Sequence, residues 1–113
     1  MYHGQTVLVA CALSEGAFSA ERAFRLTLAD GKTTYSGVAP LHYCLTSGKK
    51  PLKQDQPAPG QSIEGYVEAF LVANGGEQAM VELPDGEAVR VNVSQVPFRQ
   101  DQSREAQYVP LRP

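Results

Sequence analysis

Tryptophan is absent from the 113 residues, cysteine occurs twice, and no apolar run exceeds the seven residues from Val7 to Leu13. A membrane-spanning helix needs ~20 consecutive apolar residues, so no segment is long enough to cross a bilayer as a helix. The opening Met1-Tyr2-His3-Gly4 lacks the positive n-region and small-residue cleavage site of a secretory signal, and a cytoplasmic location is therefore expected. Thiols in that compartment stay reduced, so Cys11 and Cys44 are expected to be free and not bridged. An excess of charge of one sign is missing too. Ten basic and 12 acidic side chains leave a net charge of −2, whereas sequence-independent grip on nucleic acid or anionic lipid rests on accumulated Lys and Arg.

What is present suffices for a fold. Leu, Ile, Val and Phe supply 26 of the 113 residues, too many for a disordered chain. Gly4-Gln5-Thr6-Val7 recurs 56 residues later as Gly60-Gln61-Ser62-Ile63. Leu26-Thr27-Leu28-Ala29-Asp30-Gly31 recurs at an offset of 55 as Val81-Glu82-Leu83-Pro84-Asp85-Gly86, and the same offset pairs Val38-Ala39-Pro40-Leu41 with Val93-Ser94-Gln95-Val96. Agreement in order and spacing points to an internal duplication. The resulting organisation is a first repeat over 1–46, a proline- and lysine-rich linker over 47–59 with almost nothing to bury, a second repeat over 60–99, and a flexible tail over 100–113.

Within each half the hydrophobic period is two. Val81, Leu83, Val89, Val91 and Val93 alternate with polar residues around Asp85-Gly86, and an Asp-Gly pair between alternating strands is a strong hairpin signal because it accepts the positive φ of a tight turn. The first half repeats the pattern with Phe24, Leu26 and Leu28 inward before Asp30-Gly31 and Val38 inward after it, Thr34 and Ser36 standing where Val89 and Val91 stand. Val7, Val9, Cys11 and Leu13 form a further strand, matched by Ile63 to Phe70. Ser14 to Phe24 reads as a helical turn inside a loop, because Gly16 interrupts it and it is too short for an independent helix.

Each half is thus a strand, a longer loop, a hairpin, a short turn at Pro40 or near Pro97, and a last short strand. Short strands in this order resemble the small Src-homology-3-type barrel, and Val81-Glu82-Leu83-Pro84-Asp85-Gly86-Glu87 resembles barrels of this kind in ribosomal and transcription-associated proteins. The resemblance covers mainly residues 60–98. It implies an all-β fold of two tandem Src-homology-3-like barrels; the alternative is one intertwined duplicated barrel, each half lending strands to the other.

Chemistry-bearing residues are few. His42 and Cys44 would share a face if their segment is a strand, and with Cys11 from a neighbouring strand they are the candidate ligands of a tetrahedral zinc site. The competing reading makes Cys11 a small core residue and His42 a loop residue, since a close Cys-x-x-Cys pair is missing. No nucleophile has a base and an orienting carboxylate within reach of the pattern, and Gly75-Gly76 lacks the Lys and Ser/Thr of a phosphate loop, so neither enzyme activity nor a cofactor is expected. Lys49, Lys50 and Lys53 with Tyr35 and Tyr43 are the candidate binding residues, a basic and aromatic set of the kind used on RNA. In the tail, Pro110-Leu111-Arg112-Pro113 has prolines three apart, the spacing read by aromatic grooves that accept a polyproline helix, which suggests self-association or docking in cis. The expectation is a non-enzymatic binding or assembly module acting on another protein; nucleic-acid association is the alternative partner class, and a zinc- or thiol-dependent protein the third reading.

Overall fold

The computed structural model describes residues 5–97. These residues are all-β, as expected. Seven strands run as β1 (Gln5–Glu15), β2 (Glu21–Thr27), β3 (Thr34–Pro40), β4 (Cys44–Thr46), β5 (Ser62–Gly75), β6 (Gln78–Glu82) and β7 (Ala88–Asn92), with single 3-10 turns at Leu41–Tyr43 and Val93–Gln95. No helix among them is long and apolar enough to cross a membrane.

The strands form one sheet in the order β3-β2-β1-β5-β6-β7, with β4 added beside β5. The order is the same meander read from either end, and its two halves are joined by the antiparallel β1–β5 pair, from Gln5↔Leu71 to Ser14↔Ser62. At the middle of that pair Ala10 stands opposite Tyr66, a separation equal to the offset between Gly4 and Gly60. β5 carries β4 along Gly65–Val67 and β6 from Phe70 onward, with a bulge between Leu71 and Ala73 inside the β6 pairing. The sheet curls into a half-barrel. Its ends are drawn together where Ala29 N–H donates to Arg90 O over 2.9 Å and where Tyr35 Oη–H donates to Asp85 Oδ2 over 2.5 Å.

The concave side holds the core, in which Val7, Val9 and Leu13 of β1 meet Phe24 and Leu26 of β2, Val67, Ala69 and Leu71 of β5, and Val81 and Val91 of the second hairpin. Leu8 and Leu45 are buried outside this cluster. Close packing leaves Gly65 no room for a side chain, since a Cβ there would collide with Leu45 O and with the Leu13 side chain.

Both Asp-Gly hairpins form. Gly31 and Gly86 take φ of 74° and 93°, and each donates its N–H three residues back, to Leu28 O and Leu83 O. The turns differ by one residue, because Leu28 N–H donates to Thr33 O whereas Leu83 N–H donates to Glu87 O. Asp30 stabilises the longer turn by accepting from Lys32 N–H and Thr33 N–H, both at 2.8 Å. One extra residue inverts the faces of the strand that follows. Val38 is consequently 44 % exposed, and the inward side of β3 is Tyr35, Gly37 and Ala39 and not the expected Thr34, Ser36 and Val38.

Further corrections follow from backbone bonding. The expected helical turn at Ser14–Phe24 is mostly strand; a tight loop at 16–20 is held by Ala17 N–H and Phe18 N–H, which both donate to the Glu21 carboxylate. Leu41 N–H donates to Ala20 O and Val93 N–H donates to Glu77 O, and each bond opens a 3-10 turn, so the two turns lie 52 residues apart (93 − 41). The first hairpin has strands of seven residues and the second of five.

Residues 47–59 bury more than their composition promises. Leu52 and Pro57 are buried, and Arg22, only 4 % exposed, fastens the segment to the sheet. Its guanidinium donates to Gln56 O (2.7 Å), Gln54 O (2.8 Å), Ser19 O (2.9 Å) and Glu21 O (2.7 Å). A charged, planar fork with several donors suits such a cluster of carbonyls.

Candidate functional site

On the convex side, strand register brings Thr6, Phe70 and Glu82 into one row across β1, β5 and β6, because Thr6 pairs with Phe70 and Phe70 with Glu82. Their neighbours Val7, Ala69, Leu71 and Val81 point the other way into the core, so alternation forces this row outward. The 3-10 turn at Leu41–Tyr43 leads into β4, whose Cys44 pairs with Val67, and so sets His42 and Tyr43 beside the row. Pro84 closes one end. Together these residues line a groove of about 300 Å³, with Glu68 and Ala69 also on its wall. Phe70 is 42 % exposed, a large apolar side chain left on the surface. The His42 ring packs edge-on against Tyr43, with centroids 4.6 Å apart and planes at 75°.

The groove therefore combines aromatic and prolyl faces with carboxylates at its rim. No family model, curated protein or solved structure matches this chain. The site is therefore read from its own chemistry.

The structure does not gather the three expected ligands into one set. His42 lies on a 3-10 turn, where strand alternation does not apply, and is exposed, whereas Cys44 is fully buried with its thiol directed at Pro40 O, 3.6 Å away. Cys11 is half-buried on β1 and packs against the core. Burial, with a smaller contribution from Cys44, pushes the Cys11 thiol up to about 12. Burial raises Cys44 to about 11, with Arg22 opposing the rise and Glu68 adding to it. Among the described residues no three His, Cys, Asp or Glu side chains are gathered to hold a metal ion.

The basic and aromatic set is divided as well. Tyr43 lines the groove. Tyr35 instead faces Phe24, with centroids 6.2 Å apart, and its hydroxyl is committed to Asp85; that bond, with lesser burial and carboxylate effects, raises its pKa to about 12. Lys49, Lys50 and Lys53 are exposed on the segment after β4, and the Lys49 ammonium stands 5.8 Å from the Tyr66 ring centroid, within cation–π range. The sequence reading missed Phe70, Glu82 and Pro84 because Ala69-Phe70-Leu71-Val72 looks like a buried strand. The available signal was that Phe70 falls out of phase with Val67, Ala69 and Leu71.

Proposed function

We propose that this chain is a non-enzymatic binding module that acts through protein contacts, with the Phe70 groove as its contact surface. The observation that carries this reading is the exposure of Phe70 between Tyr43, Pro84 and Glu82. Interface centres are enriched in aromatic residues and ringed by polar ones, and of the large apolar side chains exposed among the described residues, Phe18, Val38 and Phe70, it is Phe70 that lies in a groove with other aromatic and prolyl groups. The scaffold is an intertwined duplication. Supporting this are the palindromic strand order, the Ala10↔Tyr66 centre at the repeat offset, and hydrogen bonds that recur from hairpin to hairpin. A 3-10 turn between β3 and β4 supports the likeness of the first half to a Src-homology-3-type barrel.

Nucleic-acid association through Lys49, Lys50 and Lys53 is the weaker reading, since Tyr35 is engaged with Asp85 and Tyr43 faces the groove. Affinity capture with the wild-type chain and with Phe70→Ser, each with and without nuclease, tests both. The expected result is a protein retained by wild type, lost with Phe70→Ser and indifferent to nuclease. Recovery that disappears on nuclease treatment and is unchanged by Phe70→Ser would replace the protein reading with the nucleic-acid one.

A further inference from the structure

We infer that β3 is an association edge and that its partner is a second copy of this chain, the two β3 strands pairing antiparallel about a two-fold axis at Ser36. β3 ends the sheet and has a neighbouring strand on one side only, β2, in an unbroken register from Glu21↔Pro40 to Thr27↔Thr34. Flanking bonds fix which way its peptide groups point. Leu28 N–H donates to Thr33 O and Leu41 N–H donates to Ala20 O, so the odd-numbered positions bond towards β2 at both ends of the strand. Alternation then turns the N–H and C=O of Thr34, Ser36 and Val38 outward, and among the described residues no group bonds them there. Soluble sheets guard such edges with charge, proline or a covering segment. The opposite end of this sheet is guarded, since β7 carries Arg90, whose carbonyl accepts from Ala29 N–H. Thr34 to Ala39 contains no charged residue, and Pro40 stands only at the end of the strand.

The outward positions match their own copy. A two-fold axis at Ser36 sets Ser36 against Ser36 of the second copy and Thr34 against Val38 of the second copy, and the facing pairs exchange about six backbone hydrogen bonds. Their side chains face away from the core, where Thr34 and Ser36 are exposed and Val38 is 44 % exposed, so each end of the ladder joins two β-branched side chains. Of the three large apolar side chains exposed among the described residues, Phe18 and Val38 lie at this edge, and with Ala20, Glu21 and Pro40 they line a recess of about 370 Å³. The register carries Lys32 of the second copy to the Pro40 end of β3, where Glu21 pairs with Pro40 and lines the recess, so the charges there complement each other. The Phe70 groove, on the third strand from β3, stays open in the pair, and the dimer presents two grooves to a multivalent partner. Pro110-Leu111-Arg112-Pro113, expected from the sequence to serve self-association, lies outside the described residues, and this contact does not need it.

Sedimentation of the full chain tests the contact. Wild type should pass from monomer to dimer between about 1 and 100 μM, because one strand pair with an apolar flank is a small interface. Val38→Lys, which puts a charge at each end of the ladder, should weaken the dimer at least about tenfold, whereas the neutral and β-branched Val38→Thr should retain it. Cysteine substitutions read the register and keep the test open if Val38→Lys fails to fold. Facing Cα atoms in such a pair lie about 5.5 Å apart, within disulfide range, so Ser36→Cys should cross-link to itself under glutathione disulfide. Thr34→Cys alone should not, and Thr34→Cys mixed with Val38→Cys should. A wild-type chain still monomeric at about 100 μM, a dimer indifferent to Val38→Lys, or Thr34→Cys cross-linking alone as readily as Ser36→Cys would overturn the inference. Full-length Pro110→Ala/Pro113→Ala and Phe70→Ser should both dimerise like wild type, and loss of the dimer in either would overturn it by moving the contact to the tail or the groove. Capture through Phe70 is read separately, so failure of the β3 contact leaves the protein-binding reading standing and failure of capture leaves the dimer standing.

Discussion

Replacing Arg22 by alanine should release the 47–59 segment from the sheet and destabilise the whole chain. Four carbonyl acceptors, at Ser19, Glu21, Gln54 and Gln56, lose one charged donor group. Hydrogen bonds to a charged group contribute about 1.5–3 kcal/mol each, but a simple sum overstates the loss. The buried cation itself costs several kcal/mol of desolvation, which the substitution removes. Ser19 and Gln54 are exposed, so their carbonyls regain water, whereas the carbonyl of half-buried Gln56 does so less completely. A net loss of about 3 kcal/mol follows for Arg22→Ala, and about 2 kcal/mol for Arg22→Lys, which keeps the charge and loses the fork. Urea denaturation gives the magnitude. Trypsin cleavage after the exposed Lys53 gives the location, because loss of the anchor at Gln54 and Gln56 should expose that bond before global unfolding. A change below about 0.5 kcal/mol together with unaltered cleavage at Lys53 would refute the clamp, since that size is typical of a surface site.

Other consequences can be measured on the same material. Gly65→Ala should destabilise by about 2 kcal/mol in urea, because the added methyl meets Leu45 O and Leu13 in a packed interior. Tyr35→Phe should cost no more than about 1 kcal/mol at neutral pH, its bond to Asp85 being at the surface. The pH dependence has a definite sign: an unfolded tyrosine ionises near 10 and Tyr35 in the folded chain near 12, so the bond contributes fully below about pH 10 and is lost as the pH rises through 12. The stability difference between wild type and Tyr35→Phe should therefore shrink over that window in alkaline urea titrations, and a constant difference would contradict it. Cys11 and Cys44, with raised thiol pKa values of about 12 and 11, should resist alkylation at pH 8 in the native chain and label rapidly in denaturant, as read by mass spectrometry.

Local chemistry was legible where it is decided locally. Asp30-Gly31 and Asp85-Gly86 announce the hairpins, and the inward positions of Phe24, Leu26, Val81 and Val91 follow from period two. The fate of Val38 was not legible, because a single residue in the first turn, held by Asp30, sets which face follows it, and turn length depends on hydrogen bonds that composition does not reveal. The same limit applies to His42, whose 3-10 turn cancels the strand alternation that would have paired it with Cys44. The groove depends on long-range register. Thr6, Phe70 and Glu82 meet only because β1 pairs with β5 and β5 with β6, contacts spanning up to 64 positions between Thr6 and Phe70. Repeat offset carried a hint of the first pairing, since the central pair Ala10↔Tyr66 is separated by the same 56 residues as Gly4 and Gly60. Arg22 offered no sequence signal at all, as its partners are backbone carbonyls.

The groove's role as a protein-contact surface is tested most directly by placing a photoreactive phenylalanine analogue at Phe70 and, as a control, at Ser36, which is exposed on β3. Irradiation in the source cell followed by mass spectrometry should show protein crosslinks at position 70 and none in common at position 36. Crosslinks to nucleic acid at position 70, or the same protein set at both positions, would contradict the account.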